Sequence, residues 1–218
     1  MCKDKSRNFL MQIMGYDKMN LDDKIFRFIY IEAMRDAVIQ LSYKGEKKSL
    51  MKLDFINSLK DEIEPFVNKV LNNDYSSQEE YDKDFLLKTI SICKTINDKA
   101  KNNNFTFGNA QKLINIIIKH FYITSYKDDI SKKKFKFCHC PMDQLLLENI
   151  WSKRKELDND KILGNRDYFL KSWGNENFEV DETGKKMYPK RYMLFQQSVR
   201  FLAQKDGINP LEYDYCVW

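Results

Sequence analysis

Ile31, Met34, Val38 and Leu41 recur at helical spacing and predict a buried stripe on a first helix. That helix opens near Asn20, with the carboxylates of Asp22 and Asp23 in its first turn, where they suit the helix dipole. A polar break at 44–48 leads to a second helical stretch from about Leu50. Pro65 predicts a kink or a fresh start there, because proline lacks the N–H that a helix interior uses. Ser77-Gln-Glu-Glu80 reads as a capping box opening the next helix, with Leu86, Ile90 and Cys93 on its inner face and a frayed end at 101–104. After Gly108 and Asn109 comes the run Leu113–Ile118, then Phe121. A helix apolar almost all round belongs at the centre of a fold.

The polar, lysine-bearing stretch 124–136 predicts a connection, followed by a helix from Met142 to about Lys155 with Leu145, Leu146 and Ile150 inward. The least regular part is 158–184, punctuated by Gly164, Gly174 and Gly184. Pro189 suits the first position of the last long helix. Tyr192, Phe195, Val199 and Leu202 form its buried stripe, and Gly207 stops it. Asn209-Pro-Leu-Glu212 caps a short final helix ending at Trp218. With no repeat, linker or domain boundary visible, the expectation is an all-α, single compact domain of irregular topology over residues 1–218.

Composition narrows the class. The 218 residues include only 7 Gly and 4 Pro, too few for the tight turns of an all-β fold, and the 43% hydrophobic content is that of a globular chain. A net charge of +5 is compatible with a nucleic-acid partner without requiring one. The 5 cysteines, an odd number at scattered positions, form no disulfide framework. The first residues lack a signal-peptide core, and the longest apolar run is too short to span a bilayer. The expected location is therefore cytoplasmic, with no membrane partner.

Chemistry concentrates in two places. In Phe107-Gly108-Asn109-Ala110-Gln111-Lys112 a glycine turn feeds an apolar helix. The first amides of that helix are expected to point outward unpaired, as a phosphate site. Lys112 in the first turn opposes the dipole, which suits an exposed residue, a phosphate contact, or an amine primed for Schiff-base chemistry. In Cys138-His139-Cys140-Pro141-Met142-Asp143 the aspartate is either a helix cap or a functional carboxylate facing Lys112. Three adjacent soft ligands cannot easily wrap one tetrahedral ion, and no CxxC or HxxxH supplies the rest, so neither metal nor cofactor is expected.

Gly108-x-Ala110-x-Lys112-x-x-Asn115 resembles the hairpin and following helix of the helix–hairpin–helix DNA glycosylase superfamily, whose pattern is Gly-x-Gly-x-Lys. Pro141-Met-Asp143 resembles that family's later Pro-Val-Asp. The members closest in feel are the 8-oxoguanine DNA glycosylases with lyase activity. The resemblance covers roughly 105–150; Ala110 replaces the second hairpin glycine, Thr106-Phe107 replaces the usual Leu-Pro, and 124–137 would be an inserted loop. It implies a helix–hairpin–helix element, Lys112 as nucleophile and Asp143 as the essential carboxylate. It also implies that Gly108, Asn109, Ala110 and Gln111 grip a phosphate of double-stranded, lesion- or modification-bearing DNA. Apart from the resemblance, Lys132, Lys133 and Lys134, interleaved with Phe135, suit phosphate neutralisation or a solvated loop, His139 beside Pro141 and Asp143 is expected to line the pocket, and the protein is expected to be a monomer. Two other readings stay open: a non-enzymatic nucleic-acid-binding module, and a helical adaptor protein.

Overall fold

The computed structural model describes residues 29–34, 37, 53–99, 105–124, 133–157 and 163–217. They are mostly helical, with one two-stranded ribbon, which makes the fold all-α. After a helical stretch at 29–34 come α1 (Leu53–Asn72), α2 (Gln78–Lys99), α3 (Phe107–Thr124), α4 (Gln144–Ser152) and the short α5 (Arg166–Phe169). A 3₁₀ turn (Trp173–Asn175), the antiparallel strands β1 (Glu179–Val180) and β2 (Lys186–Met187), α6 (Lys190–Lys205) and α7 (Pro210–Val217) complete it. Among these, no helix is long and apolar enough to cross a membrane.

The central helix is α3. From Phe107 to Ile118 every residue except Lys112 is buried, the polar Asn109, Gln111 and Asn115 along with the apolar majority. One flank of α3 meets α2, which in turn packs on α1; the 3₁₀ turn lies across its beginning. The second group is α4, α6 and α7, in mutual contact. Aromatic rings join the groups: Phe107 meets Tyr192 edge-on at 4.8 Å, and Phe85 stacks on Tyr192 at 6.3 Å.

Several expectations are adjusted. Pro65 neither ends nor restarts a helix: α1 runs through it, with the ring on the exposed side. The inner face of α2 is rotated from the expected one. Tyr81, Phe85, Thr89, Ile92, Cys93 and Ile96 are buried, while Leu86 and Ile90 are only half so. Leu145 faces out on α4, where Leu146, Leu147 and Ile150 face in. Pro189 is the N-cap of α6 rather than its first residue; its four predicted stripe residues are all buried, and Gly207 takes φ of 65° just beyond. Ser77 Oγ accepts from the Glu80 N–H at 3.2 Å, while Glu80 returns to the Ser76 N–H at 2.9 Å, a box closed one residue early. Ser77→Ala should therefore cost about 1 kcal/mol in urea denaturation, most of it lost helix capping. Asn20, Val38, Leu41 and the 101–104 stretch lie outside the described residues.

Candidate functional site

Residues 138–143 run without regular structure through the interior, with Cys138, His139, Cys140, Pro141, Met142 and Asp143 all buried. A buried segment outside any helix or sheet must find partners for its backbone elsewhere. Two glutamines supply them. On α6, Gln196 accepts from the Cys140 N–H at 3.0 Å and donates to the Cys140 carbonyl at 2.7 Å. On α3, Gln111 accepts from the Met142 N–H and donates to the Met142 carbonyl, both at 3.1 Å. Each side-chain amide thus imitates a passing strand, and Pro141, which has no N–H to satisfy, sits between the clamped residues.

The Gln111 clamp joins the two segments singled out by sequence. Lys112 and Asp143 each directly follow one member of the Gln111–Met142 pair. Lys112 is half-buried in the second turn of α3, since the helix already begins at Phe107, and its Nζ lies 4.4 Å from the centre of the Trp173 ring. Asp143 is the N-cap of α4, its carboxylate accepting from the Leu146 N–H at 3.0 Å.

The expected open phosphate grip is corrected. Gly108, Asn109, Ala110 and Gln111 are buried, and the amides at the start of α3 are already used. The Gly108 N–H donates to the Glu176 carbonyl at 2.9 Å, that of Asn109 to Thr106 Oγ1 at 3.2 Å, and that of Ala110 to the Thr106 carbonyl at 3.1 Å. The Asn109 side chain folds back as well, accepting from the Thr106 N–H and hydroxyl and donating to the Ala37 carbonyl at 2.7 Å. Gly108 is a glycine of close approach within a helix: a Cβ there would lie 1.8 Å from the Trp173 carbonyl oxygen. Its φ is not positive, so no left-handed turn explains it.

Lys133 is exposed and Lys134 half-buried, on a short turn leading to the 138–143 segment; Lys132 lies outside the described residues. His139 is fully enclosed rather than on an open wall. Its Nε2 is 2.8 Å from Asp82 Oδ1 and its Nδ1 is 2.8 Å from the Tyr192 hydroxyl. Arg200 and Gln78 also donate to that Asp82 oxygen, at 3.1 and 2.7 Å. Burial drives the His139 pKa down to about 4, against the pull of the Asp82 hydrogen bond. Asp82 feels burial in the opposite sense, yet the hydrogen bond and charge of His139, with Arg200 and Gln78, hold it below the ordinary carboxylate range.

Sequence reasoning missed Asp82, Tyr192 as a hydrogen-bonding group, Gln196 and Arg200. One signal was present: Gln196 follows Tyr192 by four residues and lies beside Phe195 and Val199 in the stripe read as core. A glutamine on a buried stripe has to find partners there. Arg191, also missed, is 1% exposed and holds a strap, residues 169–176, over the start of α3. Its Nε donates to Glu176 at 2.6 Å, and its terminal nitrogens reach the carbonyls of Phe169 at 3.2 Å, Ser172 at 3.3 Å, and Lys171. Among the described residues no group of three His, Cys, Asp or Glu side chains is placed to hold a metal ion. No protein-family model, curated protein or solved structure matches the chain.

Proposed function

We propose that the protein acts on double-stranded DNA as a base-removing glycosylase with lyase activity, using Lys112 as nucleophile and Asp143 as its carboxylate. The observation that supports this reading is the reciprocal Gln111–Met142 clamp, which fixes the two residues next to it, from distant parts of the sequence, on adjoining elements. In the proposed step the neutral Lys112 amine attacks the sugar C1′. The new C–N bond forms as the glycosidic bond breaks, and the base leaves with the bonding pair and takes up a proton. Loss of a proton from the amine and opening of the ring then give the Schiff base, while Asp143 stabilises the developing positive charge at C1′.

Two features of the chain shape the proposal. An indole face attracts a cation, so Lys112 has to leave Trp173 before it attacks. The amides at 108–110 are engaged within the chain, so phosphate contact falls to lysines such as Lys133 and Lys134.

The same two features favour a second reading, a non-enzymatic nucleic-acid binder in which Lys112 is a fixed charge and Asp143 only a cap. Borohydride trapping on duplexes carrying 8-oxoguanine, uracil or an abasic site separates them. The expected result is a covalent adduct with wild-type protein that is absent with Lys112→Gln. Asp143→Asn keeps a capping side chain, so the fold persists, and turnover should fall roughly 10²-fold or more with DNA affinity nearly unchanged. Salt-dependent binding with no adduct on any of the three lesions supports the binder; no binding rejects both.

A further inference from the structure

The hydrogen bonds around His139 have a direction that can be fixed from both ends. At one end, the Met142 N–H requires an acceptor and its carbonyl a donor, which sets Gln111 Oε1 toward the former and Nε2 toward the latter. Gln111 Oε1 then faces the Asn115 amide at 3.1 Å, so Asn115 presents Nδ2 there. The same Nδ2 lies 3.2 Å from the Tyr192 oxygen and 3.4 Å from the Cys140 carbonyl. Tyr192 thus accepts from Asn115 and has its own proton left to donate to His139 Nδ1. At the other end, the ionised Asp82 can only accept, which puts the ring proton on Nε2 and leaves Nδ1 as the acceptor that Tyr192 needs. The two ends agree on one arrangement: Asn115 donates to Tyr192, Tyr192 to His139, and His139 to Asp82.

We infer that His139 is the proton-sensitive end of a one-directional relay that controls how firmly the 138–143 segment is held to α3. A proton taken up at Nδ1 turns an acceptor into a donor facing Tyr192. The Tyr192 hydroxyl, now receiving from both sides, loses its acceptor. Asn115 Oδ1 is fully buried with no hydrogen-bond partner, and it can take the Tyr192 proton only if the Asn115 amide turns over. Turning it withdraws Nδ2 from Gln111 and from the Cys140 carbonyl, and so loosens the clamp on Met142.

The groups facing the ring do not offer a simpler route. Asp82 and Tyr81 come from α2, Tyr192 and Arg200 from α6, and Tyr188 from just before it; Cys138 and Cys140 flank His139 in its own segment. Burial pushes Tyr81, Tyr188, Tyr192, Cys138 and Cys140 all upward, so none of them titrates as the solution is acidified from neutrality. Asp82, held low, remains an acceptor until more acid conditions. His139 is the group that changes first. The relay is independent of the DNA reading.

With only 2 histidines in the chain, ¹⁵N-histidine spectra of the full protein, assigned with His120→Gln, test this directly. At pH 7 the His139 ring should carry its proton on Nε2, with a protonation midpoint near 4. The side-chain amide signals of Asn115 and Gln111 should move with that midpoint, while those of Asn97, which pairs with Phe105 elsewhere, should not. Tyr192→Phe removes the donor to Nδ1, so the midpoint should rise by roughly a pH unit, and the Asn115 and Gln111 signals should cease to follow the ring.

The His139 ring of the unfolded chain binds its proton from about pH 6.5 downward, but that of the folded one only near 4, so the contribution of this group to stability is full above 6.5 and is lost as pH falls through this window. The unfolding constant should accordingly rise up to tenfold more per pH unit in wild type than in His139→Gln. A ring protonated at Nδ1 in neutral solution overturns the relay. So do Asn115 and Gln111 signals indifferent to the titration, and a Tyr192→Phe protein with an unmoved midpoint. These spectra need no variant at His139, so the inference stays testable even where His139→Gln does not fold.

Discussion

Arg191→Met should remove about 3–5 kcal/mol of stability, the range expected when one partner of a buried charge pair is deleted and the other remains. The guanidinium is 1% exposed and ion-paired with Glu176. Its remaining N–H groups serve the carbonyls of Phe169, Lys171 and Ser172, which lie at and beyond the end of α5. Those carbonyls belong to a strap without a regular hydrogen-bond ladder, so the guanidinium supplies the donors that a sheet or helix would have supplied. Methionine fills much of the volume but leaves Glu176 and the carbonyls of Phe169 and Lys171 without their donor, while Ser172 keeps the Asn175 N–H. Arg191→Lys should recover little, because an ammonium on one stem cannot reproduce a planar fork that serves the Glu176 carboxylate and several carbonyls at once. Urea denaturation of the two variants measures this; a loss below 1 kcal/mol in Arg191→Met would show the strap to be held by other contacts.

The helical elements were legible wherever burial was one-sided or complete. The α6 stripe follows directly from apolar spacing, and the central position of α3 from its apolar run, although Asn109, Gln111 and Asn115 are buried with it. Leu145 and the rotated face of α2 were misread for a common reason. Neighbouring apolar residues on a helix compete for the inside, and the winner is set by which partner helix arrives, a fact absent from local spacing. Of the kink or fresh start expected at Pro65, the fresh start does not occur, because the exposed side of a long helix tolerates a lost hydrogen bond.

The candidate site was legible as two segments and illegible as geometry. Spacing alone could bring Lys112 and Asp143 under suspicion, but it could not reveal the glutamine clamp that joins their elements, because Gln111 and Met142 meet across 31 positions of chain. Nor could it show that Glu176 caps Gly108, a contact between a loop and a helix start with no sequence signature on either side. Buried polar networks are assembled from single residues on different elements, each unremarkable in its own window.

Gly108→Ala sets two effects of opposite sign against each other. In a helix interior alanine is favoured over glycine by roughly 1 kcal/mol, and by less in the first turn of α3, where Gly108 lies at a backbone angle that alanine accepts. A Cβ at that position would meet the Trp173 carbonyl oxygen at 1.8 Å and the carbonyl carbon at 2.9 Å. These are backbone atoms, so no side-chain rotation relieves the contact, and the strap has to lift away from α3. Lifting it exposes Trp173, now 2% exposed, and breaks the hydrogen bond from the amide at position 108 to Glu176. The clash should win, with a net loss of about 3 kcal/mol in urea denaturation, at the upper end for overpacked sites. Hydrogen exchange locates the effect: the amide at position 108 should lose protection by a larger factor than amides in the middle of α6. If the variant is as stable as wild type and that amide stays protected, the close approach of the strap to α3 is wrong, and the buried start of α3 with it.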